Sequence, residues 1–263
     1  MSARDLGSPR VNAGAADARL IGHTIHALDE VDSTQAELVR LAAAGAPEGT
    51  VVTARHQRAG RGRRGRVWWD GAGESLLVSV LLRPSLSVTE TPPLTLLGAL
   101  AVSVAVEAEG VAPGIRWPND VLVDGRKLAG ILAEAATTAE GRLDRVVLGI
   151  GINMDQAAFP PELVERAVSL RMLTGRRHDA GRVLHRLLGA LDAGYRELGA
   201  GGGAGLRAAW RRRSVTLGAR VRTADGREGV AEDVDEAGAL IVRAEDGSRL
   251  RVTAGEIAGA PAA

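Results

Sequence analysis

Between Ser75 and Leu82 the chain reads Ser-Leu-Leu-Val-Ser-Val-Leu-Leu, with no charged residue. A strand of this kind has no face to offer to water. It belongs inside a sheet covered on both sides, which demands helices elsewhere in the chain. The flanking sequence supplies them. Asp32-Ser33-Thr34 precedes a helical pattern through Leu38, Val39, Leu41 and Ala42. Thr34 and Glu37 stand at capping-box spacing, and Gly45 is the stop. Thr91-Pro92 opens a long apolar helix that ends at Glu109-Gly110. Gly181 to Leu198 carries leucines at helical spacing, and Pro161 to Arg171 is read as a further helix.

More strands are predicted at 50–55 and 146–154. Residues 121–123 and 126–133 form a hairpin about Asp124-Gly125, a type I′ turn signal. The glycine- and alanine-rich stretch 199–205 reads as an extended connector, followed by a short helix from Leu206 to Arg213. After Ser214 the texture changes to short strands at 215–217, 219–223, 229–233, 240–244 and 249–253, the pattern of a small all-β barrel. The expected division is a loose tail at 1–19, an α+β domain with a mixed sheet flanked by helices at 20–213, and a β domain at 214–263.

Lys and Arg together number 33 against 32 Asp and Glu, so no global field draws the chain to nucleic acid and any anion recognition is local. There is no cysteine, which excludes disulfides and thiolate metal sites. The longest apolar run, Leu94 to Val106, is interrupted by Thr95, Gly98 and Ser103, and no secretory core precedes it. The expectation is a cytoplasmic protein without a membrane span.

Two blocks carry the chemistry. The first is Gly60-Arg61-Gly62-Arg63-Arg64-Gly65-Arg66, followed by Trp68-Trp69. Its glycines permit close backbone approach, and its guanidinium forks match phosphate or carboxylate oxygens. A solvated basic loop and a nucleic-acid patch are the competing readings. Such a loop is expected to lack fixed structure until an anion binds. The second block is Arg116-Trp117-Pro118-Asn119-Asp120, a stiff turn, with Lys127 beyond it. In a two-residue hairpin Lys127 pairs with Leu122, and it either snorkels to solvent or points at an anion. Gly130 leaves room beside it. Gly149-Ile150-Gly151-Ile152-Asn153 ends a strand whose alternate glycines leave space for a flat ligand, or for tight strand crossing. It lacks the context of a dinucleotide fingerprint, and the five histidines show no metal spacing.

In this order and spacing, Asp32-Ser33-Thr34-Gln35, Gln57 with loop 60–66 and Trp68, Arg116 to Asp120, Lys127 to Leu132 and Gly149 to Asn153 resemble the biotin protein ligases. The resemblance spans about residues 20 to 260. It implies a catalytic domain akin to class II aminoacyl-tRNA synthetases and an SH3-like C-terminal domain. It implies ATP and Mg²⁺ with biotin as substrates, and transfer of the biotinyl group from biotinyl-5′-AMP to a lysine of a biotin carboxyl carrier domain.

The same resemblance implies biotin contacts from Ser33, Thr34, Gln35, Gln57, Arg61, Gly62, Arg63, Lys127 and Gly130. On the nucleotide side it implies Arg63, Arg64, Arg66, Trp68, Asn119, Lys127 and Asn153. Lys127, Arg63 and Asp120 are the expected catalytic residues, Asp120 as the carboxylate that would assist the acceptor lysine. Gln35 stands where the family often has Asn. No two-helix DNA-binding pattern precedes Asp32, so operator binding is not expected, and the chain is expected to be a monomer or weak homodimer. A lipoate or octanoate transferase on a related scaffold is the alternative.

Overall fold

The computed structural model describes residues 19–201, 203–253 and 257–259. Residues 1–18 of the expected tail lie outside them, as do parts of 254–263. Seven strands form one mixed sheet: β1 (Ile25–Val31), β2 (Val51–Gln57), β3 (Ser75–Leu82), β4 (Gly114–Arg116), β5 (Asp120–Val123), β6 (Arg126–Thr137) and β7 (Leu143–Asn153). Their order is β1-β2-β3-β7-β6-β5-β4, with β1 and β2 parallel and the other neighbours antiparallel. All eight residues of β3 are buried. Their alternation sorts them between two cores. Leu76, Val78, Val80 and Leu82 join the large cluster with the helices α2 (Pro92–Glu107) and α4 (Ala180–Gly199), while Leu81 joins Leu38 and Ala42 of α1 (Thr34–Ala43).

By length and composition, residues 88–107 would suffice to cross a membrane, contrary to the sequence expectation. Here that helix is core. From Leu94 to Val106 only Thr95 and Val104 escape full burial, because α2 lies between the sheet and α4.

The hairpin forms as expected. Asp124 and Gly125 have φ of 47° and 68°, and Leu122 pairs with Lys127. Three expectations are corrected. Residues 161–166 form turns rather than a helix. Ala167 instead bridges to Lys127, and the helix α3 (Leu170–Thr174) starts only after Ser169, whose hydroxyl caps Met172 N. The glycine-rich stretch is no extended connector. The chain turns at 200–201 and α5 (Gly203–Arg213) already includes Gly203 and Gly205. Residues 215–217 are not a strand, because Val215 N bonds back to Ile115 O at the end of the first sheet.

The C-terminal segment is a four-stranded antiparallel sheet of β8 (Arg220–Arg222), β9 (Glu228–Val234), β10 (Leu240–Ala244) and β11 (Arg249–Val252) in the order β11-β10-β9-β8. Trp117 ties it to the first sheet. Its indole donates to Gly238 O at 3.0 Å and its backbone N–H to Thr216 Oγ1 at 2.9 Å.

Candidate active site

The period of two that buries Ile150 and Ile152 of β7 turns Gly149, Gly151 and Asn153 to the opposite face. Gly130 is the cross-strand partner of Gly151, and Leu132 that of Gly149. On this face α1 packs on β2, β3 and β7, and the arginine loop faces Leu132 and Glu134 of β6. A cavity of about 450 Å³ lies beneath the loop, lined by residues 59–67, Leu132 and Glu134. A second, of about 250 Å³, opens between Arg63, Trp117 to Asn119, the start of α2 and Gly238. Arg63 and Leu132 border both.

The loop has a defined fold here. Gly62 N donates to Arg66 O and Trp68 N to Gly60 O, closing a short hairpin. Arg64 sits at φ 57° and is exposed, a left-handed conformation uncommon outside glycine. Arg66 Nε reaches Arg63 O at 3.4 Å. Arg61 Nη2 pairs with Glu134 Oε2 at 3.1 Å, and Arg63 Nη1 donates to Asn119 Oδ1 at 3.0 Å.

Trp68 lies on the glycine pair. A Cβ on Gly151 would stand 2.6 Å from its ring and one on Gly130 3.1 Å. The space expected for a flat ligand is therefore lined by this indole. Its Nε1 is buried without a hydrogen-bond partner, while Trp69 turns away to pack against Phe159.

Lys127 points into the site. Its ammonium stands 2.6 Å from Asp120 Oδ1 and 5.5 Å from the Trp68 ring centroid, a cation–π distance. Asp120 Oδ2 accepts from Arg116 Nη2 at 2.7 Å. Burial pushes the Asp120 carboxyl up, but the charges of Lys127 and Arg116 outweigh it and hold the group below the usual carboxylate range. Asp120 is thus an anchor for Lys127 and a poor proton acceptor. Asn119 and Asp120, adjacent in sequence, hold the side chains of Arg63 and Lys127.

Asn119 Nδ2 donates to Ile131 O, which fixes its side chain. Asn153, expected at the nucleotide, uses its amide donor to bridge Lys127 O and Val168 O at 3.1 Å each. In this structure it secures the strand that carries Lys127.

Thr34 and Gln57 meet: Gln57 Oε1 accepts from Thr34 N at 2.8 Å and from its hydroxyl at 2.9 Å. This replaces the capping box expected of Thr34 and Glu37. The N-cap is Ser33, buried and with no side-chain cap bond, while Glu37 pairs with Arg40. The Thr34 hydroxyl also meets Ser79 Oγ at 2.8 Å. Gln35 is buried against Gly149, where a Cβ would lie 2.6 Å from its amide carbon, and donates to Leu132 O and Glu134 Oε2.

Sequence reasoning missed Glu134 and Asp70. Glu134 shares the parity of Gly130 and Leu132 along β6, which was the available signal. Buried Asp70 accepts from Gln57 N at 2.7 Å and pairs with His56, and no local pattern marks that. Among the described residues no group of three or more His, Asp or Glu side chains could hold a metal.

A seven-stranded mixed sheet with a glycine-floored, cation-lined cleft is joined here to a small β domain. Residues 28–153 match the biotin/lipoate A/B protein ligase family, and residues 215–258 match the biotin protein ligase C terminal domain. The chain belongs to the biotin protein ligase family. It is 36% identical to a biotin–[acetyl-CoA-carboxylase] ligase of Mycobacterium tuberculosis, over 98% of each chain. It is 38% identical to the bifunctional ligase/repressor BirA of Bacillus subtilis, over 83% of this chain and 69% of that one. A biotin protein ligase of Aquifex aeolicus, solved in complex with biotin and ATP, superposes with a TM-score of 0.77 at 28% identity. That alignment covers 89% of this chain and 97% of the other.

Proposed function

We infer that this protein is an ATP-dependent ligase that activates biotin as biotinyl-5′-AMP and transfers the biotinyl group to a lysine of a biotin carboxyl carrier domain. The convergence of two separately anchored cations carries this reading: Arg63 on Asn119 and Lys127 on Asp120. In the first step a biotin carboxylate oxygen attacks the α-phosphorus of ATP and pyrophosphate leaves. In the second, the neutral amine of the acceptor lysine attacks the acyl carbon, an amide forms and AMP departs with the electron pair of the broken bond. Both steps build negative charge on phosphate oxygens, which Lys127 and Arg63 are placed to stabilise. Mg²⁺ is taken to enter with ATP as part of the substrate.

In this reading Ser33, Thr34, Gln35 and Gln57 would meet the ring end of biotin, with Gly130 and Lys127 toward its carboxylate. Trp68 walls the cleft, and Arg61 to Arg66 close it. The named relatives are biotin ligases, and a lipoate-handling activity is not favoured. A cytoplasmic location, a carboxylase carrier as acceptor and a monomer or weak homodimer complete the proposal. The near-neutral charge gives no ground for DNA binding.

The test is biotin-dependent exchange of pyrophosphate into ATP, together with labelling of a carrier domain. Lys127→Ala should lower exchange about 10²–10³-fold. Arg63→Gly should release free biotinyl-5′-AMP. Absence of biotin-dependent exchange in the parent protein would overturn the reading.

A further inference from the structure

Glu134 occupies a place that the ligase chemistry does not call for. It sits on β6, and one of its oxygens, Oε2, accepts from two sides. From the loop above comes Arg61 Nη2 at 3.1 Å, and from the cleft floor comes Gln35 Nε2 at 3.0 Å. The same Gln35 nitrogen also reaches Leu132 O at 3.2 Å. Gln35 can lie in this position because residue 149 is glycine, since a Cβ there would meet its amide at 2.6 Å. Arg61 and Glu134 are both about half-exposed, at 47% and 39%, so their pair is a weak, water-accessible one. A weak pair of this kind forms and breaks at little cost.

We propose that Glu134 is a positioning residue, a latch that couples closure of the arginine loop to the orientation of Gln35 in the cleft floor. With Arg61 seated, the shared carboxylate holds Gln35 against Leu132 O. With the loop open, Glu134 follows solvent and Gln35 loses its second anchor. A molecule whose polar ring edge meets Gln35 and Leu132 O therefore binds best when the loop is shut. This last step rests on the biotin reading, but the latch itself does not.

The latch is read without substrate. Trypsin cuts after arginine, and the loop presents Arg61, Arg63, Arg64 and Arg66, so the cleavage rate within 61–66 in the ligand-free full chain reports opening. Glu134→Gln should be cut about two- to fivefold faster than the parent at unchanged melting temperature. Scored only at Arg63, Arg64 and Arg66, which every variant keeps, the reversed pair Arg61→Glu with Glu134→Arg should restore slow cleavage, which loss of a merely structural side chain would not predict. Equal rates in parent and Glu134→Gln, or no recovery in the reversed pair, would overturn the latch. Adding biotin should slow cleavage in the parent and slow it less in Glu134→Gln. If biotin protects neither protein the function reading fails, while the ligand-free comparison still decides the latch.

Discussion

At the residue scale, the site is a matter of which side chain fixes which. Asp120 lies between Arg116 and Lys127 and stays ionised well below neutrality, so proton removal from an incoming lysine falls to another group or to solvent. Asp120→Asn should lower adenylation about 10–100-fold by loosening Lys127. Transfer from preformed biotinyl-5′-AMP should keep the pH dependence of the parent, and a shifted profile in single-turnover assays would restore Asp120 as a base. Gly151 makes a second prediction. A methyl group there collides with the Trp68 ring, so Gly151→Ala should weaken biotin binding at least tenfold by calorimetric titration, with the fold intact.

Much of this was legible. Lys127 among apolar neighbours, four arginines in a glycine loop and alternate glycines on one strand were each legible as local conflicts, and Lys127, Trp68 and Gly130 meet in one cleft. Asp70 and Glu134 were not legible, because their partners are brought to them by folding across 13 and 73 positions of sequence.

At the scale of elements, alternation and capping signals gave most helices and strands, and two of the three failures share a cause, pairing to a distant strand. Residues 161–166 have helical composition, but the chain must run back beside β6, where Lys127 N donates to Arg166 O and Val168 N to Lys127 O. That tertiary pairing overrides local preference, and it also helps to place the lysine. The end of α2 shows the reverse case, a buried carboxylate joining elements. Glu109 lies just beyond α2 and accepts from His178, Arg182 and Arg186, which tie α2 to the start of α4.

Burial raises the Glu109 pKa, but hydrogen bonds from His178 and Arg182 outweigh it and bring it down to about 2, against 4.5 for a free glutamate. A depressed folded-state value means that the stabilisation is complete above about pH 4.5 and is lost as pH falls toward 2. Glu109→Gln should cost about 1–3 kcal/mol at neutral pH. In melting curves the gap between parent and variant should be constant above pH 4.5 and shrink below it.

For the whole molecule, the second sheet begins at Arg220, six residues after the change of texture at Ser214. What that change could not show is that the two sheets share a wall. Ser214 bridges to Ile115, and Trp117 is buried at 3% exposure with its indole on Gly238. The turn that positions Asn119 and Asp120 is therefore braced by the C-terminal domain. Trp117→Phe leaves the Gly238 carbonyl without its donor, a loss of about 1–3 kcal/mol. Calorimetry should show a broadened or divided transition in place of one, and adenylation should fall although no substrate contact has been removed.

The four tryptophans are unevenly placed. Trp117 and Trp210 are sealed in the interior, and Trp69 rests on Phe159. Trp68 alone combines a ring laid on the glycine floor, an ammonium near its face and a buried indole N–H without a partner. Any molecule that enters the cleft changes the electric field across that one ring. The enzyme thus carries its own optical gauge, and its emission spectrum should follow filling and emptying of the cleft without an added dye.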